Sequence, residues 1–204
     1  MGMYARRILP WLIDFGMRRK PLLRLREDLV AGAQGQVLEI GVGSGLNLPF
    51  YQRDLEGLWG IDPSPELLAM ARAQAAWVHF PVSLGEGRAE NLPLDDRSVD
   101  NVVMTWTLCS IAEPERALAE IRRVLRPGGS LIFIEHGRAP EAHVRGWQDR
   151  LTPLWRRVAG GCHLNRPVDQ LIESSGLHLT ELETGYLVEG PRPFTFHYRG
   201  RAQA

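Results

Sequence analysis

The stretch VLEIGVGSGLN, residues 37–47, decides the fold class of this 204-residue chain. Its first half belongs to a short apolar run over 36–40, and its second half has glycine at every second position, at Gly41, Gly43 and Gly45. Glycine lets the backbone turn sharply and approach a ligand closely. Because ligands of open α/β sheets bind beyond the carboxyl ends of strands, the stretch predicts a strand that runs into a binding loop.

The spacing of these glycines argues against two common binding loops. A dinucleotide-binding fingerprint, GxGxxG, needs its third glycine at position 46, where this chain has Leu46. A P-loop needs a Gly-Lys-Ser/Thr sequence, which the chain does not contain. A nicotinamide-dependent oxidoreductase is therefore disfavoured, and a P-loop nucleotide-binding protein is excluded.

The rest of the chain alternates between segments with the patterns of strands and helices. This alternation predicts a Rossmann-like, doubly wound α/β sheet with helices on both faces. The last two strands are too close in sequence for a parallel crossover, so the mostly parallel, seven-stranded sheet should end in an antiparallel hairpin. Strands are predicted at 36–40, 58–61, 77–82, 99–105, 130–134, 178–186 and 194–198, and the main helices at 65–75, 114–125, 140–158 and 168–174.

Length and composition indicate one domain, residues 1–204, with an ordinary hydrophobic core. The 24 basic and 24 acidic residues cancel, which disfavours a nucleic-acid-binding protein. No uncharged run is long enough to span a membrane, and the start of the chain does not have the pattern of a secretory signal. We therefore expect a cytoplasmic protein, and its oligomeric state stays open.

Asp62 is the second candidate binding residue, because it ends the second predicted strand. An acid at this place can accept hydrogen bonds from both hydroxyl groups of a ribose. It can also be the N-cap of the helix that follows Pro63. The two roles are compatible.

Five motifs, in order and spacing, resemble those of the class I S-adenosylmethionine-dependent methyltransferases. They are VLEIGVGSGLN, GIDPSPELL, GRAENLP, SVDNVV and RVLRPGGSL, and together they fall within residues 33–137. The branch that they resemble most includes quinone C-methyltransferases and is often labelled methyltransferase type 11. The resemblance implies a cofactor-binding core at 33–137. Around this core we expect a helical lid at 1–31, a helical insertion on the substrate side at 138–176 and a strand hairpin at 177–204.

The resemblance also implies a role for individual residues toward S-adenosylmethionine. The glycines would lie against its methionine part and ribose, and Glu39 would support the loop and the ammonium group. Asp62 would bind the ribose hydroxyls and Pro63 would pack on the adenine. Contacts with the adenine are implied for Ala89 and Glu90, and contacts with the methionine end for Asn47 and Thr105.

The C-terminal third is similar, more loosely, to the thiol S-methyltransferases of the methyltransferase-like group. The similarity rests on LCS at 108–110 and on GCHLNR at 161–166. It implies a small apolar acceptor, with a thiol as first choice. A quinone precursor, a phospholipid amine, a phenol and a non-catalytic S-adenosylmethionine-binding protein remain alternatives.

His136 is the candidate catalytic residue, because it ends the fifth predicted strand, where an imidazole can serve as a base or as a partner of a thiolate. No metal site is expected, since spacing suggests no third ligand beside Cys162 and His163. A role in loop packing is favoured for that pair.

The N-terminal segment has two possible roles. As a lid, it would bring Tyr4, Arg6 and Arg7 to the cofactor carboxylate. Alternatively, its apolar face and its excess of basic residues would contact a membrane surface peripherally.

Overall fold

A computed structural model describes residues 8–204 as one α/β sheet with helices on both faces. Tyr4, Arg6 and Arg7 lie outside the described residues. The seven strands have the order β3-β2-β1-β4-β5-β7-β6. The first five run parallel, whereas β7 is antiparallel to both β5 and β6. The predicted fold class and the C-terminal hairpin are therefore confirmed.

The bounds of most elements agree with the periodicity of the sequence. The strands are β1 at Gln36–Ile40, β2 at Gly57–Asp62, β3 at Val82–Glu86, β4 at Val99–Thr105, β5 at Leu125–His136, β6 at His178–Tyr186 and β7 at Phe196–Gln203. The helices are α1 at Leu9–Met17, α2 at Lys20–Val30, α3 at Pro65–Ala75, α4 at Pro114–Val124, α5 at Ala142–Val158 and α6 at Val168–Ser174.

The third strand begins later than the sequence predicted. Trp77 is 83% exposed, and the segment from 77 to 81 links α3 to the strand. Pairing starts where the Leu58 amide donates to the carbonyl of Pro81 at 2.9 Å, and continues from Val82 onward. The predicted start at 77 was wrong, because Trp77 is exposed and Phe80 is buried edge-on against Tyr51 from the segment before the strand, whose residue pairing with β2 starts at Val82.

The fifth and last strands are longer than predicted, because backbone pairing extends through polar and glycine residues. A register shift between Val99 and Asn101 takes up the Pro127-Gly128-Gly129 segment inside β5. The last strand lies between β5 and β6, so its arginines and Gly200 are fixed by hydrogen bonds on both sides. Only the first three residues of β7 have the apolar pattern that is typical of a strand.

Two apolar clusters cover the two faces of the sheet. One joins β4 and β5 to α4 and α6, with Phe133, Leu118 and Ile121 fully buried. The other joins β1 and the opposite face of β5 to α2 through Leu29 and Val30. Burial of both faces fixes the register of the parallel strands, which aligns the carboxyl ends of β1, β2, β4 and β5 along one edge.

Candidate functional site

The glycine loop after β1 is held by backbone bonds to β2. The amides of Gly41 and Val42 both donate to the carbonyl of Ile61, at 2.9 and 3.0 Å. Gly43 has φ of +54°, a conformation that L side chains rarely adopt. A side chain there would meet no protein atom closer than 3.9 Å, so the backbone of Gly43 faces open space. Gly45 differs, since a side chain there would collide with Ala71 of α3.

Asp62 accepts two backbone hydrogen bonds at the end of β2. Its Oδ2 accepts from the Gly43 amide at 3.0 Å, and its Oδ1 accepts from the Ser64 amide at 2.9 Å. The N-cap of α3 is Ser64, whose hydroxyl accepts from the Leu67 amide, so the N-cap interpretation of Asp62 was wrong. Burial raises the pKa of Asp62, against the effect of the two amides.

A buried polar network lies behind the glycine loop. The Glu39 carboxylate accepts from Asn47 Nδ2 and from the Tyr51 hydroxyl, both at 2.8 Å. Asn47 Nδ2 also donates to Thr105 Oγ1 at 3.2 Å, which joins the ends of β1 and β4. Burial raises the pKa of Glu39 to about 7, although the Tyr51 hydroxyl, the Arg26 charge and Asn47 act in the opposite direction. The structure thus brings Glu39, Asn47 and Thr105 together, and their contacts with a cofactor stay predictions.

Arg26 completes this network and was not predicted from the sequence. Its NH1 donates to Asn47 Oδ1 at 2.8 Å and to Thr105 Oγ1 at 2.9 Å, and its guanidinium lies 4.8 Å from the ring centre of Trp106. Its buried Nε has no hydrogen-bond partner within residues 8–204. Burial lowers the pKa of Arg26 to about 10. A buried, charged donor without a partner fits the carboxylate of a ligand.

The residues predicted around the adenine occupy different environments. Pro63 is exposed beside Asp62, and Ala89 is buried in the loop after β3. The Glu90 carboxylate accepts from the amides of Ala112 and Glu113, at 3.2 and 3.4 Å, immediately before α4. Glu90 therefore stabilises the start of α4, a role that the sequence did not indicate.

Comparison with known proteins agrees with this geometry. The family described as methyltransferase domain matches residues 38–133. Thiol S-methyltransferase TMT1B of Rattus norvegicus is 36% identical over 175 residues, which cover 81% of this chain and 70% of that protein. This chain belongs to the class I S-adenosylmethionine-dependent methyltransferases.

Two further proteins are similar to this chain either over a shorter stretch of sequence or in fold alone. The phosphatidylethanolamine N-methyltransferase of Cereibacter sphaeroides is 39% identical over 104 residues, half of this methyltransferase and 51% of that protein. The methyltransferase bound to the Trm112 activator of Haloferax volcanii has a TM-score of 0.72 at 22% identity, over 94% of this chain and 93% of that one. The second likeness shows the fold alone.

Near the carboxyl ends of β4 and β5, His136 lies in a sulfur–imidazole cluster, formed by Cys109, His136 and Cys162. The Nε2 of His136 is 3.2 Å from the Cys162 Sγ, and the ligand atoms of all three residues lie within 4.8 Å of one another. The sequence-based expectation of no metal site concerned the pair Cys162 and His163, for which spacing suggested no third ligand. The fold brings two more candidates, which sequence spacing could not reveal because they lie 26 and 53 positions away.

The first helix of the methyltransferase lies against the glycine loop. The Ser44 hydroxyl donates to Asp14 of α1, and Asp14 also accepts from Arg18 at 2.7 Å. The same helix has two exposed aromatic side chains, Trp11 and Phe15, whose rings stack with their centroids 5.8 Å apart. No helix in the described part of the chain is long and apolar enough to cross a membrane.

Proposed function

We propose that this methyltransferase transfers the methyl group of S-adenosylmethionine to a small apolar thiol. The observation that carries the proposal is the extent of the similarity to the thiol S-methyltransferase of Rattus norvegicus. The alignment covers 81% of the 204 residues, so at most about 40 residues at one end of the chain can lie outside it. Residues 40–165 are therefore always inside it, and with them all three residues of the sulfur–imidazole cluster. The match to the phosphatidylethanolamine N-methyltransferase covers only half of the chain.

In this proposal the buried polar network holds the methionine end of the cofactor. The unpartnered Nε of Arg26 and the backbone amide of Asn47, at the start of a 3₁₀ turn, would bind its carboxylate, and the Glu39 carboxylate would lie near its ammonium group. When bound, the cofactor supplies a methyl group already activated by a sulfonium. The chain itself therefore has to hold and orient the two reactants, which can contribute about 7–11 kcal/mol.

The nucleoside end would bind along the carboxyl ends of β2 and β3. The open space beside Gly43 leaves room for a ligand against the backbone, next to the Asp62 carboxylate. Asp62 would accept the ribose hydroxyls, and Pro63 and Ala89 would contact the adenine. For Glu90, we propose that one carboxylate oxygen binds the adenine amine while the other keeps the start of α4 in place.

His136 is the proposed catalytic residue. A thiol with an ordinary pKa of about 8.5 is partly ionised at neutral pH, so a strong base is not required. The imidazole would instead stabilise the thiolate, from its position at the end of β5 beside Cys109 and Cys162. Trp106 lies at the same edge of the sheet, where its ring packs edge-on against His197. Its backbone has a left-handed φ of +51°.

The proposal is tested by release of S-adenosylhomocysteine with a panel of thiols, phenols, quinols and amines. We expect turnover with small apolar thiols at rates at least tenfold above those with the other three classes. A preference for an amine, a phenol or a quinol would reassign the acceptor. Calorimetric binding of S-adenosylhomocysteine without turnover on any acceptor would identify a non-catalytic binding protein instead.

We also propose that α1 and α2 form a lid over the cofactor and that α1 contacts a membrane surface peripherally. The first proposal is supported by the Ser44–Asp14 hydrogen bond and by the position of Arg26 in α2. The second is supported by the exposed apolar residues of α1 and of its N-cap. These are Ile8, Trp11, Leu12, Ile13 and Phe15.

A further inference from the structure

Three soft ligand atoms converge between the carboxyl ends of β4 and β5. Cys109 lies in a 3₁₀ turn after β4, His136 ends β5, and Cys162 lies in the loop after α5. Their exposed fractions are 2%, 8% and 7%, so all three are buried. The chain has only these two cysteines, and the fold places both beside one imidazole.

The separations of these atoms lie within about 1 Å of those that a tetrahedral zinc ion requires. Zinc binds thiolate sulfur at about 2.3 Å and imidazole nitrogen at about 2.0–2.1 Å, so its ligand atoms lie about 3.6–3.8 Å apart. The three atoms here lie within 4.8 Å of one another, and the Cys162–His136 pair is already at 3.2 Å. Changes of about 1 Å or less, within the reach of side-chain rotation, bring all three to these separations.

The backbone around Cys109 is fixed by Glu135. The Glu135 carboxylate is fully buried and accepts from the amides of Thr107 and Leu108, at 2.7 and 2.9 Å. Its other oxygen accepts from the Cys109 amide at 3.4 Å. The turn that carries Cys109 is therefore held from the strand that carries His136, a support of the kind that gives a ligand set its geometry.

The two cysteine loops are also joined to each other. The His163 amide donates to the carbonyl of Cys109 at 2.8 Å. Arg166 donates from its guanidinium to the carbonyls of Leu108 and Ile111, on both sides of the turn. Cys109 and Cys162 are thus held together by bonds that do not involve their sulfur atoms.

We propose that Cys109, His136 and Cys162 bind one zinc ion. Two sulfurs and one imidazole nitrogen are ligands that zinc prefers, and the set contains no carboxylate of the kind that magnesium or calcium needs. Three protein ligands leave one tetrahedral position for water or for an added thiol, as in catalytic zinc sites. As a ligand, His136 would act on an acceptor through the metal and not as a free base.

The test uses the full chain without a histidine tag, produced in zinc-supplemented medium. Elemental analysis after gel filtration should give one zinc per chain, and Cys109→Ser, Cys162→Ser and His136→Gln should each weaken zinc binding at least tenfold. The control His79→Gln changes an exposed histidine outside the cluster and should keep the full zinc content. Cobalt in place of zinc should give a thiolate-to-cobalt charge-transfer band that each cysteine variant weakens.

Titration of the thiols separates zinc from a disulfide, because the denatured chain has only two cysteines. Two titratable thiols that appear together with release of one zinc would support the proposal. A Cys109–Cys162 disulfide, or two free thiols that take up no zinc at micromolar concentration, would overturn it. The wild-type measurement decides even if a variant fails to fold, and binding of S-adenosylhomocysteine to the same sample tests the proposed function separately.

Discussion

Arg26 and Asn47 are joined by a 2.8 Å hydrogen bond that ties helix α2 to the loop after β1. The same guanidinium group donates to Thr105 at the end of β4, while its Nε has no partner within the described residues 8–204. The bond therefore fixes a buried positive charge at the end of the glycine loop, with one donor still unused. Such an arrangement is costly in an empty site and favourable once an anion binds.

Replacement of Arg26 should therefore weaken cofactor binding more than it weakens the fold. We expect Arg26→Met to raise the Kd for S-adenosylhomocysteine at least tenfold, since a hydrogen bond to a charged group contributes about 1.5–3 kcal/mol. Calorimetry measures the affinity and thermal unfolding measures the stability. Arg24→Met is the matched control, because Arg24 is exposed on the same helix. An unchanged Kd in Arg26→Met would remove Arg26 from the site.

Asp62 should contribute to binding through its charge. We expect Asp62→Asn to raise the Kd for S-adenosylhomocysteine about 10–100-fold, because an amide can accept from only one side and loses the charge that strengthens hydrogen bonds to the ribose. The variant also loses one of the bonds from Gly43 and Ser64, so its melting temperature is measured in parallel. Asp54→Asn, at an exposed position, is the control. Equal affinities in the two variants would contradict a ribose-binding role.

The fold and the cofactor loop could be predicted because they depend on local signals. Runs such as Gln36–Ile40 and Val99–Thr105 are buried on both faces, and positive φ after β1 requires glycine. The strand over Phe196–Gln203 could not be bounded, because its position between two neighbours, and not its composition, makes it a strand.

The missed site residues all depend on contacts between distant segments. In the sequence, Arg26 is one of several charged residues on an amphipathic helix. Only the packing of α2 brings it to Asn47 and Thr105. From the sequence, Cys109 is expected to be a small buried residue. Only the fold shows that the loop after α5 brings Cys162 beside it. Neither contact produces a recognisable motif spacing in the sequence, because each depends on how three or four separate elements pack together.

His136 should affect turnover and leave cofactor affinity unchanged. We expect His136→Ala to bind S-adenosylhomocysteine with the wild-type Kd and to lose at least tenfold in kcat on a thiol, because the imidazole lies at the end of β5, outside the network proposed for the cofactor and in the site proposed for the thiol. Single-turnover kinetics at saturating cofactor separates this effect from binding. His79→Ala should keep the wild-type kcat. If kcat does not change in His136→Ala, the residue has no part in the mechanism.

Glu39 should make the stability of the cofactor-free protein depend on pH. Its pKa is raised by burial from 4.5 to about 7, so between these values the folded chain binds a proton that the unfolded chain has released. The contribution of Glu39 to the free energy of unfolding is therefore fully present below pH 4.5. It is lost as the pH rises through 7, a decrease of about 3 kcal/mol at most.

This dependence is measured by urea unfolding from pH 4.5 to 8 with the wild-type protein and Glu39→Gln. The stability of the wild-type protein relative to the variant should decrease as the pH rises. Glu56→Gln, at an exposed position, should follow the wild-type curve. A difference between wild type and Glu39→Gln that is constant across this range would show that Glu39 titrates alike in the folded and unfolded chains.

Asp14 and the exposed aromatic pair of α1 should affect different properties of the protein. Asp14→Ala removes the bond to Ser44 of the glycine loop, so we expect the Kd for S-adenosylhomocysteine to rise about 2–10-fold without a change in liposome binding. Trp11→Ser with Phe15→Ser removes the exposed aromatic pair, at 59% and 68% exposure, and should reduce binding to anionic liposomes with the Kd unchanged. Flotation with liposomes and calorimetry measure the two properties. Trp77→Ser is the control, because Trp77 is 83% exposed and lies outside α1. If wild-type protein does not float with liposomes, α1 has no membrane role and only the lid remains.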